Sequence, residues 1–232
     1  MPDTSPLPNL NLKTELIPAG NHNRPGTHIH PTYVTIHNTD NSDKGADAEA
    51  HSRFVRQTGY YPLRGQKNWV SWHFTVDDGV AIKHVPVNEK AYHAGPGNSV
   101  SVAIEVCMNE GINQAAANKR AAELTAGLLK DLGIKADDIR PHHAWTGKDC
   151  PVLLLDHASE GEKWKSFVEL VEAALDTLKD AKGPIVIEPG ELEAIARIPA
   201  REFDESVDTD TEEIDHQLVA EQLNLMIEQE PK

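Results

Sequence analysis

Segments rich in β-branched residues alternate with segments of helical periodicity over about the first 180 residues of this 232-residue chain. The runs "TYVTIHNT" (32–39) and "SVSVAIEVCMN" (99–109) predict strands, and "WVSWHFTVDDGVAIKHVP" (69–86) predicts a hairpin around Asp78-Gly79. Helical spacing predicts helices over 47–58, 113–133 and 160–183, the second opened by Asn113 and closed by Gly133. Strands and helices mixed in this way favour an α/β domain with a single mixed β-sheet flanked by α-helices.

The composition changes at "AKGPIVIEPGE" (181–191), where Gly and Pro end the last helical pattern. Residues 183–232 hold 14 acidic and three basic side chains, a net charge of −11. We therefore predict an N-terminal extension over 1–19, a main domain over 20–182 and an acidic C-terminal tail over 183–232. Within the tail, 191–203 and 211–229 have helical spacing, with an apolar stripe of Ile214, Leu218, Leu225 and Val219. The tail could dock on the domain, mediate self-association or stay flexible.

Charge and hydropathy exclude several classes of partner. Residues 1–182 carry a net charge of only −4, which argues against nucleic acid as a partner. No segment approaches the ~18 uninterrupted apolar residues of a membrane helix, so we expect no membrane insertion. The first 20 residues lack the basic and apolar regions of a signal peptide, which predicts synthesis in the cytoplasm. Cys107 and Cys150 are too few for a disulfide framework and are predicted to be thiols.

Glu105 interrupts the otherwise apolar strand "VSVAIEVCM". Burying an unpaired carboxylate costs several kcal/mol or raises its pKa, so a charged residue in such a strand requires an explanation. One interpretation is an edge strand whose glutamate faces water. The other is a general base placed beside a substrate or a metal ion.

Nitrogen and sulfur donors are available for a metal ion at His37, at His142 or His143, and at Cys150. Three protein ligands and one open position are typical of a catalytic zinc site. The chain has 12 histidines, however, so some will be close by chance, and no compact two-ligand motif is present. The residue types alone therefore leave two interpretations open, a metal site and histidines that lie close together by chance.

Four motifs occur together in a familiar order: "YVTIHNTD" (33–40), "WVSWHFTVDDGVAIKHVPVNEKAYHAG" (69–95), "NSVSVAIEVCMN" (98–109) and "HHAWTGKDCPVLL" (142–154). In order and approximate spacing the chain resembles the zinc-dependent N-acetylmuramoyl-L-alanine amidases. These form the amidase_2, phage-lysozyme and peptidoglycan-recognition-protein superfamily, and the likeness is strongest to its endolysin and bacterial cell-wall hydrolase branch. The resemblance covers about residues 20–180 and implies the fold of that superfamily.

The resemblance assigns roles to five residues. It implies Zn²⁺ as the cofactor, held by His37, His142 and Cys150, since the second ligand of the family stands eight positions before the cysteine. Glu105 in "VAIEVC" matches the catalytic carboxylate, and Lys148 matches the cation that stabilises the oxyanion. Zinc lowers the pKa of water, so a nearby glutamate can act as its general base.

Four further residues are predicted to contact the substrate. His93 in "AYHAG" matches a segment that lines the substrate groove in the family. Asn38, Trp72 and His73 are added as groove candidates, although Trp72 and His73 could equally pack inside the domain.

The activity implied is hydrolysis of the amide between N-acetylmuramic acid and L-alanine in peptidoglycan, with peptidoglycan or a muropeptide as substrate. Action on the wall would require export or holin-type release. One alternative is a non-catalytic peptidoglycan-binding protein on the same fold, and another is a cytoplasmic amidase that recycles soluble muropeptides. Cys150 argues against both, because the first group typically lacks the cysteine ligand and the second tends to have an aspartate.

Overall fold

The computed structural model describes residue 7, residues 10–200, residue 210 and residues 213–229. Its strands are β1 (Leu12–Thr14), β2 (Tyr33–Asn38), β3 (Tyr60–Leu63), β4 (Gln66–Trp69), β5 (Phe74–Val76), β6 (Ala81–Lys83), β7 (Ser101–Val106) and β8 (Ile139–Pro141). Its α-helices are α1 (Ala48–Gln57), α2 (Gln114–Leu132), α3 (His143–Thr146), α4 (Glu162–Thr177), α5 (Pro189–Ile195) and α6 (His216–Gln229).

Six strands form one sheet in the spatial order β1-β6-β5-β7-β2-β8, while β3 and β4 form a separate hairpin. Only β5 and β6 pair antiparallel within the large sheet, and its other neighbouring strands pair parallel. The single mixed sheet expected from the sequence is therefore confirmed.

Local signals placed several elements correctly. The Asn113 side chain caps α2 by accepting a hydrogen bond from the Ala116 amide, and Gly133 ends that helix at a φ of 68°. The predicted turn at Asp78-Gly79 joins β5 and β6. The predicted extent of that hairpin, residues 69–86, was wrong, because Trp69 ends β4 and pairs with Tyr60.

The large sheet is buried on both faces. One face presents Val34, Ile36, Val102 and Ile104 to α2 and α4, with which they form the main apolar core. On the opposite face, Ala103 belongs to a second apolar cluster with residues of α1 and α6. Strand β7 lies inside the sheet between β5 and β2, so the edge-strand interpretation of Glu105 is wrong.

The two predicted extensions pack on the domain. Strand β1 pairs with β6, and Ile17 is fully buried. The Asp131 carboxylate accepts hydrogen bonds from three consecutive backbone amides at Ile185, Val186 and Ile187. The division into 1–19, 20–182 and 183–232 stays a prediction, but the described parts of both extensions contribute to the cores.

Helix α6 also packs on the domain through most of the expected stripe, since Ile214 and Val219 are buried in the second cluster and Leu218 packs against it. Val219 and Leu223 are 2% and 1% exposed and belong to the second cluster. Leu225 is 49% exposed, so its placement on the buried stripe was wrong. Residues 201–209 lie outside the described residues, and with them the end of the helix predicted over 191–203. No helix within the described ranges is both long and apolar enough to cross a bilayer.

Candidate metal centre

Pairing of two inner strands brings His37 and Glu105 together. In the parallel register of β2 and β7, His37 lies directly opposite Glu105. His37 Nδ1 is 3.8 Å from Glu105 Oε1, and both side chains are buried. Side chains of paired residues project from the same face of a sheet, so the register itself fixes this contact.

His142 and Cys150 reach the same place from the loop after β8. Strand β8 pairs with β2, and the His142 amide continues that pairing by donating to the Ile36 carbonyl. The loop then turns back through α3, and the His143 amide donates to the Cys150 carbonyl. Cys150 Sγ thereby comes to 3.8 Å from His37 Nδ1.

A fourth residue, His216, joins this group from the first turn of α6. Its Nε2 lies 4.0 Å from Cys150 Sγ and 2.9 Å from Glu105 Oε1. Sequence reasoning missed His216, because 66 positions separate it from Cys150 and no motif spacing links them. The available signal was "IDHQL", in which the Asp215 side chain accepts from the Leu218 amide and caps the helix that carries His216.

The four side chains can hold a metal ion. One donor atom each from His37, His142, Cys150 and His216 lies within 4.8 Å of the others, and all four residues are buried. Among the described residues, neither ring nitrogen of His142 has a hydrogen-bond partner of good geometry, although Nε2 is 3.4 Å from Glu213 Oε1. Buried polar atoms without partners are rare in proteins, and a metal ion would satisfy one of these two nitrogens. Imidazole and thiolate donors suit transition metals.

Burial controls the protonation of this centre. It lowers the pKa of His37, His142 and His216, so these rings are neutral and can offer a lone pair. It raises the pKa of Cys150 and of Glu105 well above their usual ranges. Without a cation the thiol keeps its proton, and a bound metal ion would favour the thiolate.

Two of the residues predicted to contact the substrate lie against the candidate ligands, and their contact with the substrate stays a prediction. His93 Nδ1 shares a 3.0 Å hydrogen bond with His37 Nε2, and the His93 side chain is fully buried. The Asn38 side chain donates to the Val106 carbonyl and accepts from the Leu153 amide, which ties the segment after Cys150 to β2. Both residues lie beside the centre, where they orient His37 and Cys150.

The structure does not bring Trp72 to the centre. Its indole is 1% exposed, donates to Thr75 Oγ1 and stacks near Phe54 in the second cluster. His73 is also buried, with Nε2 at the Glu89 carbonyl and Nδ1 accepting from the Ala103 amide. Both ring nitrogens of His73 are occupied, so both residues take the packed positions that the sequence allowed, and a contact with the substrate stays a prediction.

Lys148 and His143 have different hydrogen-bond partners and different positions relative to the centre. Lys148 Nζ donates a 2.7 Å hydrogen bond to the Ile214 carbonyl, which lies two residues before His216. His143 Nδ1 lies 3.0 Å from the Lys148 carbonyl, so this ring braces the loop and His142 is the member of the pair in the metal-binding group.

The fold and this group of buried ligands define an α/β domain with a candidate metal centre at one end of its parallel strands. The family model of the N-acetylmuramoyl-L-alanine amidases matches residues 27–152, which include three of the four candidate ligands, and the chain belongs to that family.

Relatives of known name agree with this assignment. The chain is 39% identical over 170 residues to the N-acetylmuramoyl-L-alanine amidase CwlH of Bacillus subtilis and 40% identical over 162 residues to XlyA of the same species. These matches cover 71% and 68% of this chain but only 62% and 50% of the two relatives. The solved catalytic domain of XlyA superposes with a TM-score of 0.61 at 38% identity, over 70% of this chain and 99% of that domain. The expected fold is therefore confirmed.

Proposed function

We propose that this protein is a zinc-dependent amidase that hydrolyses the bond between N-acetylmuramic acid and L-alanine in peptidoglycan. The observation that carries the proposal is the position of Glu105, a buried carboxylate 3.8 Å from His37 Nδ1 at the edge of a group of histidine and cysteine ligands. The names of the relatives support the substrate.

His37, His142 and Cys150 are the proposed zinc ligands. Imidazole and thiolate are both zinc donors, and three protein ligands with one open position are the arrangement of catalytic zinc sites. When bound there, zinc supplies a Lewis acid that activates water and polarises the substrate carbonyl. His93 holds the His37 ring through its second nitrogen, which is the usual role of a positioning residue beside a metal ligand.

Glu105 is the proposed general base and acid. Burial raises the pKa of its carboxyl group, so the carboxylate takes up a proton more readily than an exposed glutamate would. It would accept the proton of the attacking water and pass it to the amino group of L-alanine as the C–N bond breaks. The Lys148 ammonium would stabilise the negative charge on the carbonyl oxygen.

Peptidoglycan is accordingly the proposed partner. Export or holin-type release to the wall stays a prediction, as does self-association through the tail.

The test uses purified full-length protein with whole sacculi and, separately, with soluble muropeptides. We expect new L-alanine amino termini from sacculi, lost on addition of a chelator and restored by Zn²⁺. Cys150→Ser should abolish release, whereas Cys107→Ser is the matched control, since Cys107 is a buried thiol that lies outside the ligand group. Equal loss in both variants would contradict the ligand assignment, and cleavage of muropeptides alone would favour a recycling role.

A further inference from the structure

The candidate centre is closed to solvent in this structure. His37, His142, Cys150, His216 and Glu105 are each between 0% and 4% exposed. A site that cuts a wall polymer must admit a glycan strand and a peptide stem, so this conformation cannot turn over such a substrate. The part of the chain that closes the centre is residues 213–229, named here the tail segment.

His216 of the tail segment takes the place of a fourth ligand. Its Nε2 lies 4.0 Å from Cys150 Sγ, within the same group as His37 and His142. Catalytic zinc sites have three protein ligands and keep the fourth position for water or substrate, whereas four protein ligands are typical of structural sites. A zinc ion held by all four residues would have no position free for water.

When no metal ion holds it, the same His216 nitrogen is hydrogen-bonded to the proposed base. Glu105 Oε1 shares its 2.9 Å hydrogen bond with His216 Nε2, and Glu105 Oε2 has no hydrogen-bond partner among the described residues. Without a metal ion, a ring of the tail segment is therefore bonded to the Glu105 oxygen that would otherwise be available to a water molecule.

The backbone before His216 lies on the domain as an extended peptide. Glu213 forms an antiparallel bridge with Ala94, and the Ile214 amide is 3.4 Å from the His93 carbonyl. The Ile214 carbonyl accepts from Lys148 Nζ at 2.7 Å. A peptide carbonyl of the tail segment thus accepts a hydrogen bond from the Lys148 ammonium, which is the cation proposed to stabilise the reacting carbonyl.

Apolar contacts keep the tail segment in place. Ile214, Val219 and Leu223 are 1–2% exposed and belong to the second cluster, with Phe54 and Tyr61 of the domain. The Tyr61 hydroxyl also donates to the Glu213 carbonyl. These contacts hold α6 on the domain and thereby keep His216 in the centre.

We propose that the tail segment is an autoinhibitory element that mimics the substrate, with His216 as a fourth metal ligand that must leave before the amidase can act. The proposal rests on the proposed function. A permanent structural metal site is the competing explanation, and it gives Glu105 and Lys148 no chemical task.

The first experiment needs no turnover. The full-length protein is loaded with Co²⁺, and its ligand-field spectrum is recorded with and without azide. We expect a wild-type spectrum insensitive to azide and a His216→Ala spectrum that shifts, because the variant gains an open position. Its metal affinity should also fall by at least about tenfold. Gln217→Ala changes the exposed neighbouring residue and should match wild type in both measurements. Identical spectra and affinities in His216→Ala and wild type would overturn the proposal.

The second experiment measures cleavage of sacculi at saturating Zn²⁺. If about 99% of molecules are closed, release of the tail segment can raise the rate by up to roughly 100-fold. We expect at least a tenfold rise in His216→Ala and in Leu223→Ala, which leaves all four ligands in place, and no change in the control Leu225→Ala. A lower cleavage rate in both His216→Ala and Leu223→Ala would assign His216 to a permanent metal site and refute autoinhibition. If no variant cleaves sacculi, the proposed function fails, while the cobalt spectra still decide whether His216 is a ligand.

Discussion

Two leucines of helix α6 provide a quantitative test of how the tail segment is held. Leu223 is 1% exposed and packs in the second cluster, whereas Leu225, two residues later on the same helix, is 49% exposed. Truncation of a fully buried leucine to alanine costs about 2–5 kcal/mol. The same change at an exposed position costs within about 0.5 kcal/mol. Both substitutions change helix propensity equally, so the difference between them reports the packing alone.

The expected magnitude follows from the burial. A loss of about 2.7 kcal/mol corresponds to a factor of about 100 in an equilibrium constant, since each 1.36 kcal/mol is tenfold. If the loss falls on the docking of the tail segment, the equilibrium for its local opening rises by that factor, and strand β7 in the middle of the sheet is unaffected.

The assay is amide hydrogen exchange followed by mass spectrometry of peptides from α6 and β7. Leu223→Ala should accelerate exchange in α6 by roughly 100-fold, and Leu225→Ala should leave it within about threefold of wild type. Equal exchange rates in the two variants would refute the packing argument. A matching acceleration in β7 would show instead that the tail segment opens only when the whole domain unfolds.

Three further outcomes follow from the centre and the core. Glu105→Gln should keep its zinc, measured by metal analysis, and lose roughly 100- to 10,000-fold in rate; an unchanged rate would exclude Glu105 as the base. Zinc uptake near pH 7 should release about one proton, because burial raises the pKa of Cys150 and lowers those of the histidine ligands. Affinity should therefore fall on acidification, and calorimetry in two buffers that shows no release would contradict this. Asp131→Ala removes the acceptor of three amides and should lower the free energy of unfolding in urea by about 1–3 kcal/mol, unlike the exposed control Asp180→Ala.

The amino-acid sequence by itself determined the elements that carry the centre. Runs rich in β-branched residues identified β2 and β7, and capping signals at Asn113 and Gly133 identified α2. The motif around Cys150 then distinguished His142 from His143 by resemblance. These signals are local, since each depends on the residue types within one strand, helix or loop.

Only the tertiary structure decided what lies against those elements. The sequence left Trp72 and His73 open between the groove and the interior, and the structure places both in packed interior sites, because which face of an element is covered depends on distant segments. Leu225 was expected on the apolar stripe but is 49% exposed, whereas Leu223 is buried, since packing and not the sequence decides which side of the helix meets the domain. His216 reaches the centre because apolar side chains of α6 fill the second cluster. Hydrophobic contact has no direction and no fixed sequence spacing, so the position of this histidine beside Cys150 follows from packing and not from any motif.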